Sequence, residues 1–596
     1  MRSFRIAAPA ILALSLTACG GYGAMSPAAP AGAGMQNAGG PLSLSRSAVR
    51  VRAFARSQAG RAHGAGYPVT ADPPVAHPAE TPCVDVLFTP KTPPIIPGHL
   101  PVGEFADYSD HPFFYNPPAN CTGPYAKIVL KVHFRVSAGV QYDRTGAIWV
   151  GATNIFFGTT AEPGSSASPE WVVQRDVTEY APIFTQKSIG QASVYNIVNS
   201  QYTGIIYGKA ELDFYPATTQ YQSGKSADAV YPLSAGPRGG YVFLNGPSNQ
   251  MTGTFTFPKN VVAAYLDLVT ESQSGDEFWY TCFPNGLAKK LNNCGGTAFR
   301  EAEVTVDSQP AGVAPVYPWI YSGGIDPFLW VPIPGVETLN FAPYRVNLTP
   351  FAGSFDDGNP HTIAVSVFND NNYFAANGAL LIYVDHHATQ LTGKLVSDGT
   401  PASPAVKSDR DVTFGSSGAA GSIKTTATHP VSLYGYVDTS HGRVYTRVTQ
   451  SITFSNLQRI DATSSTFLQN IKQLTTITSD TSTSGSRALK EHTRMQYPLD
   501  LHYYYQVGSG STATQNTAVV LTKYGSGLNQ RPDHATSWLL QNTVDSSDTL
   551  TFTPSGFTPS NGKSRQHYKS LNVDGACWDK TILSRLYTIV GSRMGC

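Results

Sequence analysis

A chain of 596 residues is too long for one hydrophobic core, and this length predicts two to four domains. Charged residues make up only 14% of the chain, against about 25% in typical soluble proteins, and the net charge is +1. A near-zero charge without a basic stripe excludes nucleic acid and anionic membrane surfaces as partners, because it supplies no long-range field. We expect a monomer whose partner is neutral or is recognised by local contacts.

The N-terminus predicts an exported protein. Two arginines precede the apolar run Ile6–Leu16, which is too short to span a bilayer but is typical of a signal peptide. The sequence "LTACG" at 16–20 resembles a bacterial lipobox, in which Cys19 would carry the lipid, and ordinary cleavage nearby is the alternative. Residues 1–19 are the expected signal peptide, and residues 20–79, rich in Ala, Gly, Ser and Pro, are an expected disordered linker. We expect the protein to be periplasmic, to be attached to the outer membrane only through this lipid, or to be secreted.

The remaining cysteines predict disulfides. Six cysteines follow Cys19, and an even number in an exported chain indicates disulfides rather than a metal site. Neighbouring cysteines would pair as Cys83–Cys121, Cys282–Cys294 and Cys577–Cys596, which is one of fifteen possible connectivities. We expect no metal and no organic cofactor.

The hydrophobic pattern predicts an all-β protein. Short alternating runs such as "AKIVLKVHFRV", "YGKAELDFY" and "HTIAVSVF" recur between Gly, Pro and Asn turns, and helix signals are almost absent. This spacing favours stacked sandwiches or jelly rolls over parallel sheets. Composition changes place the expected domains at 80–225, 226–388 and 389–596, the last being rich in Ser and Thr.

Several well-known catalytic motifs lack their required parts. The sequence "SGKS" at 223–226 lacks the earlier glycine of a phosphate-binding loop, and no G-x-S-x-G or H-E-x-x-H sequence occurs. His386 and His387 are adjacent on a predicted strand, so they face opposite sides and do not readily share a metal. The sequence therefore gives no support to a serine hydrolase or a zinc protease.

Three patches combine acidic residues or arginines with aromatic rings. They are Tyr142, Asp143, Arg144 and Glu162; then Asp276, Glu277, Trp279 and Tyr280; then Arg300 and Glu301, followed by Trp319 and Trp330. Aromatic rings pack on the apolar faces of sugars, and carboxylates and guanidinium groups bind hydroxyls in fixed directions. Each patch taken alone is more simply explained as a strand-end ion pair or a set of core aromatics.

Together these patches resemble the PNGase A family, whose members cut the amide between asparagine and the first N-acetylglucosamine of an N-glycan. The resemblance extends from Cys83 to about Asp385. It is carried by the sequences "YNPPANC", "QYDRTGAIWVGATNIFFGTTAEP", "NIVNSQYTGIIYGKAELDFY", "GDEFWYTCFPN", "AFREAEVTVD" and "YSGGIDPFLWVPI". It implies two tandem jelly-roll domains followed by a C-terminal β domain, and substrates that are N-glycosylated peptides and glycoproteins.

A fainter similarity to the PNGase F family implies roles for individual residues. The catalytic aspartate of that family lies in a W-D-R segment that precedes a strand. The sequence "YDR" at 142–144 resembles this segment, so the resemblance assigns the catalytic role to Asp143. A glutamate from the second domain of that family corresponds most closely to Glu277, with Glu301 as a rival. Where that family has a further acid, this chain has Tyr195 and Asn196, so a third acid is not carried over. The other aromatic, acidic and polar residues of the patches, with Asn196, are expected to bind substrate: Tyr142, Arg144, Glu162, Asp276, Trp279, Tyr280, Arg300, Glu301 and Trp330.

The expected activity is therefore hydrolysis of the glycosylated asparagine side chain, with Asp143 and Glu277 sharing the acid and base work across a cleft rimmed by indole rings. The low content of Asp and Glu and the family resemblance predict an acidic pH optimum. A carbohydrate-binding adhesin that is not an enzyme, and a glycosidase that cuts between sugars with two carboxylates, stay open as alternatives.

Overall fold

The computed structural model describes residues 68–596, apart from 120, 292, 417, 486–487 and 573–575. The expected signal peptide, Cys19 and most of the expected linker lie outside the described residues. Strands account for 57% of the structure and helices for 6%, which confirms the all-β prediction. Within the described residues, no helix combines the length and the apolarity that crossing a bilayer requires.

The first unit contains nine strands. They are β1 (Cys83–Phe88), β2 (Glu104–Phe105), β3 (His111–Tyr115), β4 (Tyr125–Val136), β5 (Thr145–Val150), β6 (Thr153–Thr159), β7 (Glu170–Asp176), β8 (Ser188–Val194) and β9 (Ile206–Pro216). One sheet has the order β1-β9-β4-β7, with β2 also paired to β9, and the other has the order β3-β8-β5-β6. A 3-10 helix spans Thr178–Phe184.

The second unit repeats this arrangement. Its strands are β10 (Ala229–Leu233), β11 (Val242–Leu244), β12 (Met251–Thr256), β13 (Val261–Gln273), β14 (Glu301–Val306), β15 (Gln309–Pro315), β16 (Tyr344–Asn347), β17 (Pro360–Phe368) and β18 (Tyr373–Val384). The sheet orders are β10-β18-β13-β16, with β11 also on β18, and β12-β17-β14-β15. Its helical segments are α1 (Asn285–Leu291), α2 (Ala352–Phe355) and the 3-10 turns Ser274–Asp276, Trp279–Thr281, Pro327–Trp330 and Thr349–Phe351.

Both units have the strand order of a jelly roll. If β2 and β11 are set aside, each unit has eight strands, which can be counted from first to eighth in chain order. In one sheet the first strand pairs with the eighth, the eighth with the third, and the third with the sixth. In the other sheet the second strand pairs with the seventh, the seventh with the fourth, and the fourth with the fifth. This is the order produced when two Greek keys fold into two facing sheets, so the structure confirms two jelly rolls in tandem.

The C-terminal residues form one long antiparallel sheet, called here the third sheet. Its strands are β19 (Thr392–Asp398), β20 (Ala405–Gly415), β21 (Gly418–Thr439), β22 (Gly442–Thr463), β23 (Thr466–Thr483), β24 (Leu489–Val507), β25 (Ala513–Gln530), β26 (Ala535–Thr553), β27 (Gly556–Asn572), β28 (Cys577–Arg585) and β29 (Thr588–Met594). Consecutive strands from β21 to β29 pair as hairpins, and both β19 and β20 pair with β21.

The third sheet packs its apolar face on the second unit. Buried and exposed side chains alternate along β22, as expected for a strand with one covered face. Phe454 lies 5.0 Å from Phe299 of the second unit, and Phe557 lies 5.5 Å from Phe328, measured between ring centroids. The second unit and the third sheet therefore share one core, which also includes Trp149 and Phe157 of the first unit. Most other buried apolar residues of the first unit form a second core.

Residues 68–79 differ from the disordered linker expected there. Ala71 is fully buried; its N–H donates to Gln566 Oε1 at 2.6 Å, and its carbonyl accepts from Trp578 Nε1 at 2.8 Å. His77 stacks on Tyr215 of the first unit with 4.7 Å between ring centroids. The backbone of this segment is held because its hydrogen-bond partners come from the folded units rather than from its own sequence.

Two of the three predicted disulfides are present. Cys282 is bonded to Cys294, and Cys577 is bonded to Cys596. The third predicted pair is side by side as thiols instead: burial and a hydrogen bond with Cys83 raise the pKa of Cys121 to about 12. The structure thus places Cys83 and Cys121 next to each other as predicted, without a covalent bond between them.

Candidate active site

Asp143 connects the two jelly rolls. It lies two residues before β5 of the first unit, and its Oδ2 accepts a hydrogen bond of 2.9 Å from the N–H of Gly323. Gly323 belongs to the long loop between β15 and β16 of the second unit. Burial raises the pKa of Asp143, while the Gly323 N–H and the Arg144 guanidinium act in the opposite direction.

Glu162 brings a second carboxylate to the same loop. Its N–H donates to Ser322 Oγ at 2.9 Å, and Ser322 Oγ donates to the carbonyl of Thr160 at 2.9 Å. A Cβ added to Gly323 would collide with Glu162 Oε2 and would lie 3.3 Å from Asp143 Oδ1. The two carboxylates therefore converge on one face of Gly323, and a side chain at this position would occupy the space between them.

A third carboxylate, Glu271 on β13, was missed by the sequence analysis. It is fully buried, and Thr145 Oγ1 lies 3.0 and 3.1 Å from its two oxygens. Gln273 Nε2 donates to the same hydroxyl at 2.8 Å. Burial raises the pKa of Glu271 well above its ordinary value; the charges of Asp143 and Glu277 raise it further, and the Gln273 and Thr145 hydrogen bonds oppose the shift.

The two predicted catalytic acids act on the same buried groups. Glu277 is half-buried and directly follows the 3-10 turn Ser274–Asp276. Besides burial, negative charge on Asp143 and on Glu277 raises the pKa of both Glu271 and Tyr321. Asp143 and Glu277 therefore both act electrostatically on Glu271, which Thr145 of the first unit contacts.

Arg144 supplies positive charge beside these acids. Its guanidinium carbon is 5.9 Å from the ring centroids of both Tyr142 and Tyr202, and the two rings are 5.2 Å apart. The residue is 4% exposed, and within the described part of the chain its buried Nε has no hydrogen-bond partner. The guanidinium group therefore lies near two rings and has one buried donor that no described protein group uses.

The aromatic side chains around this site are tyrosines rather than the predicted indoles. A small cavity of about 20 Å³ adjoins Thr145 and Gln273. Its other lining residues are Tyr195, Tyr241, Phe243, Tyr373 and Ala375. A larger cavity of about 1020 Å³ lies elsewhere, between the units beside Trp171 and Trp578, and contains none of the predicted site residues.

Three predicted aromatic contacts are buried inside the protein. Trp279 and Tyr280 are 1% and 0% exposed, and Trp279 packs 6.3 Å from Phe454 of the third sheet, measured between ring centroids. Trp330 is also fully buried, and its Nε1 donates to the Gly324 carbonyl at 2.9 Å. Substrate binding by these rings stays a prediction that their burial argues against. Trp330 instead holds the loop that carries Gly323.

Asn196 supports the segment that carries Asp143. It is fully buried; its Oδ1 accepts from Gln141 Nε2 at 2.6 Å, and its Nδ2 donates to the Phe105 carbonyl at 2.8 Å. Gln141 Oε1 in turn accepts from the Tyr142 N–H at 2.8 Å. Asn196 thus fixes the backbone just before Asp143, and the predicted direct contact with substrate is untested.

Asp276 and Arg300 form a buried ion pair. Arg300 Nε and Nη2 donate to Asp276 Oδ1 at 2.9 and 2.8 Å, and both side chains are 0% exposed. Arg300 also donates to backbone carbonyls, and Asp276 Oδ2 accepts from the N–H groups of Asn371 and Asn372. Since these groups satisfy one another, the geometry argues for a structural role rather than the predicted substrate contact.

Glu301, the rival for the second acid, faces a different neighbour. It is fully buried, and its Oε1 lies 2.5 Å from Nδ1 of His429 on β21. Its environment is the boundary between the second unit and the third sheet, whereas Asp143 lies at the boundary between the two jelly rolls. Of the two candidates, Glu277 is the one whose charge reaches the groups around Asp143.

Comparison with known proteins agrees with the predicted resemblance. Residues 102–401 match the family described as peptide N-acetyl-beta-D-glucosaminyl asparaginase amidase A. A relative from Prunus dulcis, peptide-N4-(N-acetyl-beta-glucosaminyl)asparagine amidase A, is 28% identical over 371 residues, which are 59% of this chain and 64% of the relative. The alignment therefore spans less than two thirds of that relative.

Two solved structures are similar at low sequence identity. The structure of PNGF-II covers 51% of this chain and 66% of its own at 14% identity, with a TM-score of 0.35. PNGase F from Flavobacterium meningosepticum, described as a glycosylasparaginase, covers 51% and 96% at 11% identity, with a TM-score of 0.32.

Proposed function

The chain belongs to the peptide N-acetyl-beta-D-glucosaminyl asparaginase amidase A family, and from this premise we propose that it is an amidase acting on N-glycosylated peptides and glycoproteins. The bond cut is the side-chain amide between asparagine and the innermost N-acetylglucosamine. The proposal rests on one observation. The carboxylates of Asp143 and Glu162, from the first jelly roll, converge on Gly323 of the second jelly roll, beside Glu271.

The proposed reaction assigns one role to each side of the site. Asp143 accepts a proton from water, whose oxygen bonds to the amide carbon, and Glu277 donates a proton to the departing nitrogen as the carbon–nitrogen bond breaks. Aspartate remains in the peptide, and the sugar leaves as a glycosylamine that then loses ammonia. Arg144 stabilises the oxygen that becomes negative, because its buried Nε has a donor to offer.

The protonation states of these groups support an acidic optimum. Asp143 works in its ionised form, so activity rises as pH passes its raised pKa, and the acid partner works protonated, so activity is lost once that partner has given up its proton. Burial raises the pKa of Glu271 well above that of an ordinary glutamate, so Glu271 stays protonated at acidic pH. A pH-rate profile with its maximum above neutrality would contradict this part of the proposal.

The direct test is Asp143→Asn, assayed by mass spectrometry on a defined glycopeptide. We expect a loss of at least about a hundredfold, since this is what losing general acid-base help costs. Asp480→Asn is the matched control, because Asp480 is an exposed aspartate paired with His492 on the third sheet. Activity of Asp143→Asn within about threefold of the wild type would refute the role of Asp143.

The same assay separates the alternatives. An amidase converts asparagine to aspartate and leaves no sugar on the peptide, whereas a glycosidase acting between sugars leaves a sugar attached. A carbohydrate-binding adhesin would retain the glycopeptide without releasing glycan, and Asp143→Asn would not change that. Export, with or without a lipid on Cys19, is also proposed from the N-terminal sequence and would be tested by the mass of the mature N-terminus.

A further inference from the structure

A cluster of one histidine and two glutamates lies at the boundary between the second unit and the third sheet. Glu301 and Glu303 come from β14 of the second unit, and His429 comes from β21 of the third sheet. One potential ligand atom from each lies within 4.8 Å of the others. Glu301 and His429 are 0% and 1% exposed, and Glu303 is half-buried. The cluster therefore brings two separate parts of the fold together.

Two carboxylate oxygens of this cluster lack a hydrogen-bond donor. Glu301 Oε1 faces His429 Nδ1, but Glu301 Oε2 and Glu303 Oε1 are buried atoms without a partner in the described part of the chain. A buried carboxylate oxygen without a donor or a cation costs several times the net value of an ordinary hydrogen bond. These two oxygens therefore have acceptor capacity that the neighbouring described protein groups, His429 included, leave unused.

The contact made by Nε2 of His429 shows that this ring nitrogen carries a proton. Nε2 lies 2.9 Å from the carbonyl oxygen of Pro401. A carbonyl only accepts, so Nε2 carries a proton. Nδ1 lies 2.5 Å from Glu301 Oε1, so these two atoms share a second proton, which a bound cation would displace to leave Nδ1 with a lone pair. Histidines that bind metals usually donate their other N–H to a carbonyl or a carboxylate in this way.

The charges of the cluster favour a divalent cation. Once the proton shared by Glu301 and His429 has left, two ionised glutamates and a neutral imidazole carry two negative charges. One divalent cation would neutralise both carboxylates and leave His429 in the tautomer that Pro401 favours.

We propose that Glu301, Glu303 and His429 form a binding site for a divalent first-row transition cation such as Zn²⁺, which ties the second jelly roll to the third sheet. The imidazole nitrogen favours such ions over Ca²⁺ and Mg²⁺, which prefer all-oxygen sites. The three protein ligands leave at least one position for water. The site is independent of the proposed amidase chemistry.

The test is a zinc titration of the purified full chain after removal of metals with a chelator. Isothermal calorimetry should show about one tight site per chain, and zinc should raise the unfolding temperature, because a ligand that binds only the folded state stabilises it. In Glu303→Gln and His429→Gln we expect zinc affinity at least about tenfold weaker. Substituting Co²⁺ should give a visible absorption spectrum that His429→Gln changes.

The matched control is His361→Gln. His361 also lies between two carboxylates, Asp307 at 2.7 Å and Asp357 at 3.2 Å, but each of its ring nitrogens already faces one of them. Zinc binding should be unchanged in this variant. If His429→Gln fails to fold, the zinc affinity of Glu303→Gln tests the proposal instead, because Glu303 is only half-buried. Absence of tight zinc binding in the wild type, or equal affinity and stoichiometry in Glu303→Gln, would overturn the proposal.

Discussion

Removing the charge of Glu179 should loosen the joint between the two jelly rolls. Glu179 lies in the 3-10 helix of the first unit; its carboxylate is 2.6 Å from Arg345 Nη1 and 2.7 Å from Lys225 Nζ, and accepts from Tyr383 Oη at 2.7 Å. Arg345 and Tyr383 belong to strands of the second unit. The perturbation is Glu179→Gln, which keeps the shape and removes the charge.

The size of the effect follows from the pKa of Glu179. Burial opposes ionisation, but Arg345, Lys225 and Tyr383 outweigh it and lower the pKa from 4.5 to about 2. A shift of this size corresponds to about 3 kcal/mol at most. Because the side chain is 23% exposed and Arg345 keeps two hydrogen bonds to Asp267, we expect a loss of about 2 kcal/mol near neutral pH.

The direction of the pH dependence follows from the lowered pKa of Glu179. A lowered pKa in the folded state stabilises the protein above the unfolded pKa of about 4.5, and this contribution disappears as pH falls through the folded pKa of about 2. The difference in free energy of unfolding between wild type and Glu179→Gln should therefore fall by more than half between about pH 7 and about pH 3.

The assay is urea denaturation followed by tryptophan fluorescence at both pH values. Asp438→Asn is the control, because Asp438 forms an ion pair with Arg443 that is exposed and should matter little. The reasoning is refuted if Glu179→Gln is no more destabilising than Asp438→Asn near neutral pH, or if its effect is the same at both values.

Three further predictions concern the site and the covalent framework. Gly323→Ala should lower kcat on a glycopeptide by about a hundredfold with unchanged circular dichroism, because the methyl group displaces Glu162; Gly286→Ala, where the added Cβ makes only an ordinary van der Waals contact of 3.8 Å with the Arg410 side chain, should keep full activity. Glu271→Gln should retain activity at acidic pH, because glutamine stays neutral like a protonated glutamate; a hundredfold loss at every pH would contradict this. Cys282→Ser should lower the free energy of unfolding by about 2 to 3 kcal/mol, and an unchanged urea midpoint would count against the disulfide.

Some features of the site could be predicted because they depend on local sequence. Asp143 and Arg144 were expected just before a strand, and β5 begins at Thr145. The cysteines 282 and 294 are separated by 12 positions, and the bond between them was expected from this proximity. Such features follow from turn residues and alternation, which act over a few residues.

Other features could not be predicted because their partners are distant in sequence. Gly323 is separated by 180 positions from the Asp143 carboxylate that it binds. Glu271 lies inside the mainly apolar strand "AAYLDLVTESQ", whose two carboxylates give no sign that Thr145 of another unit will bind one of them. Only the packing of one jelly roll on the other brings these groups together.

The sequence by itself determined the β class, the two jelly rolls through their family resemblance, and the position of Asp143 at a strand end, because alternation and turns are encoded locally. The tertiary structure decided which rings and acids face the site. The predicted tryptophans Trp279 and Trp330 are buried, since large aromatic surfaces gain most by leaving water, and tyrosines line the small cavity beside Thr145. It also decided that Glu301 meets His429, because burying a carboxylate requires a partner, and that partner comes from the third sheet.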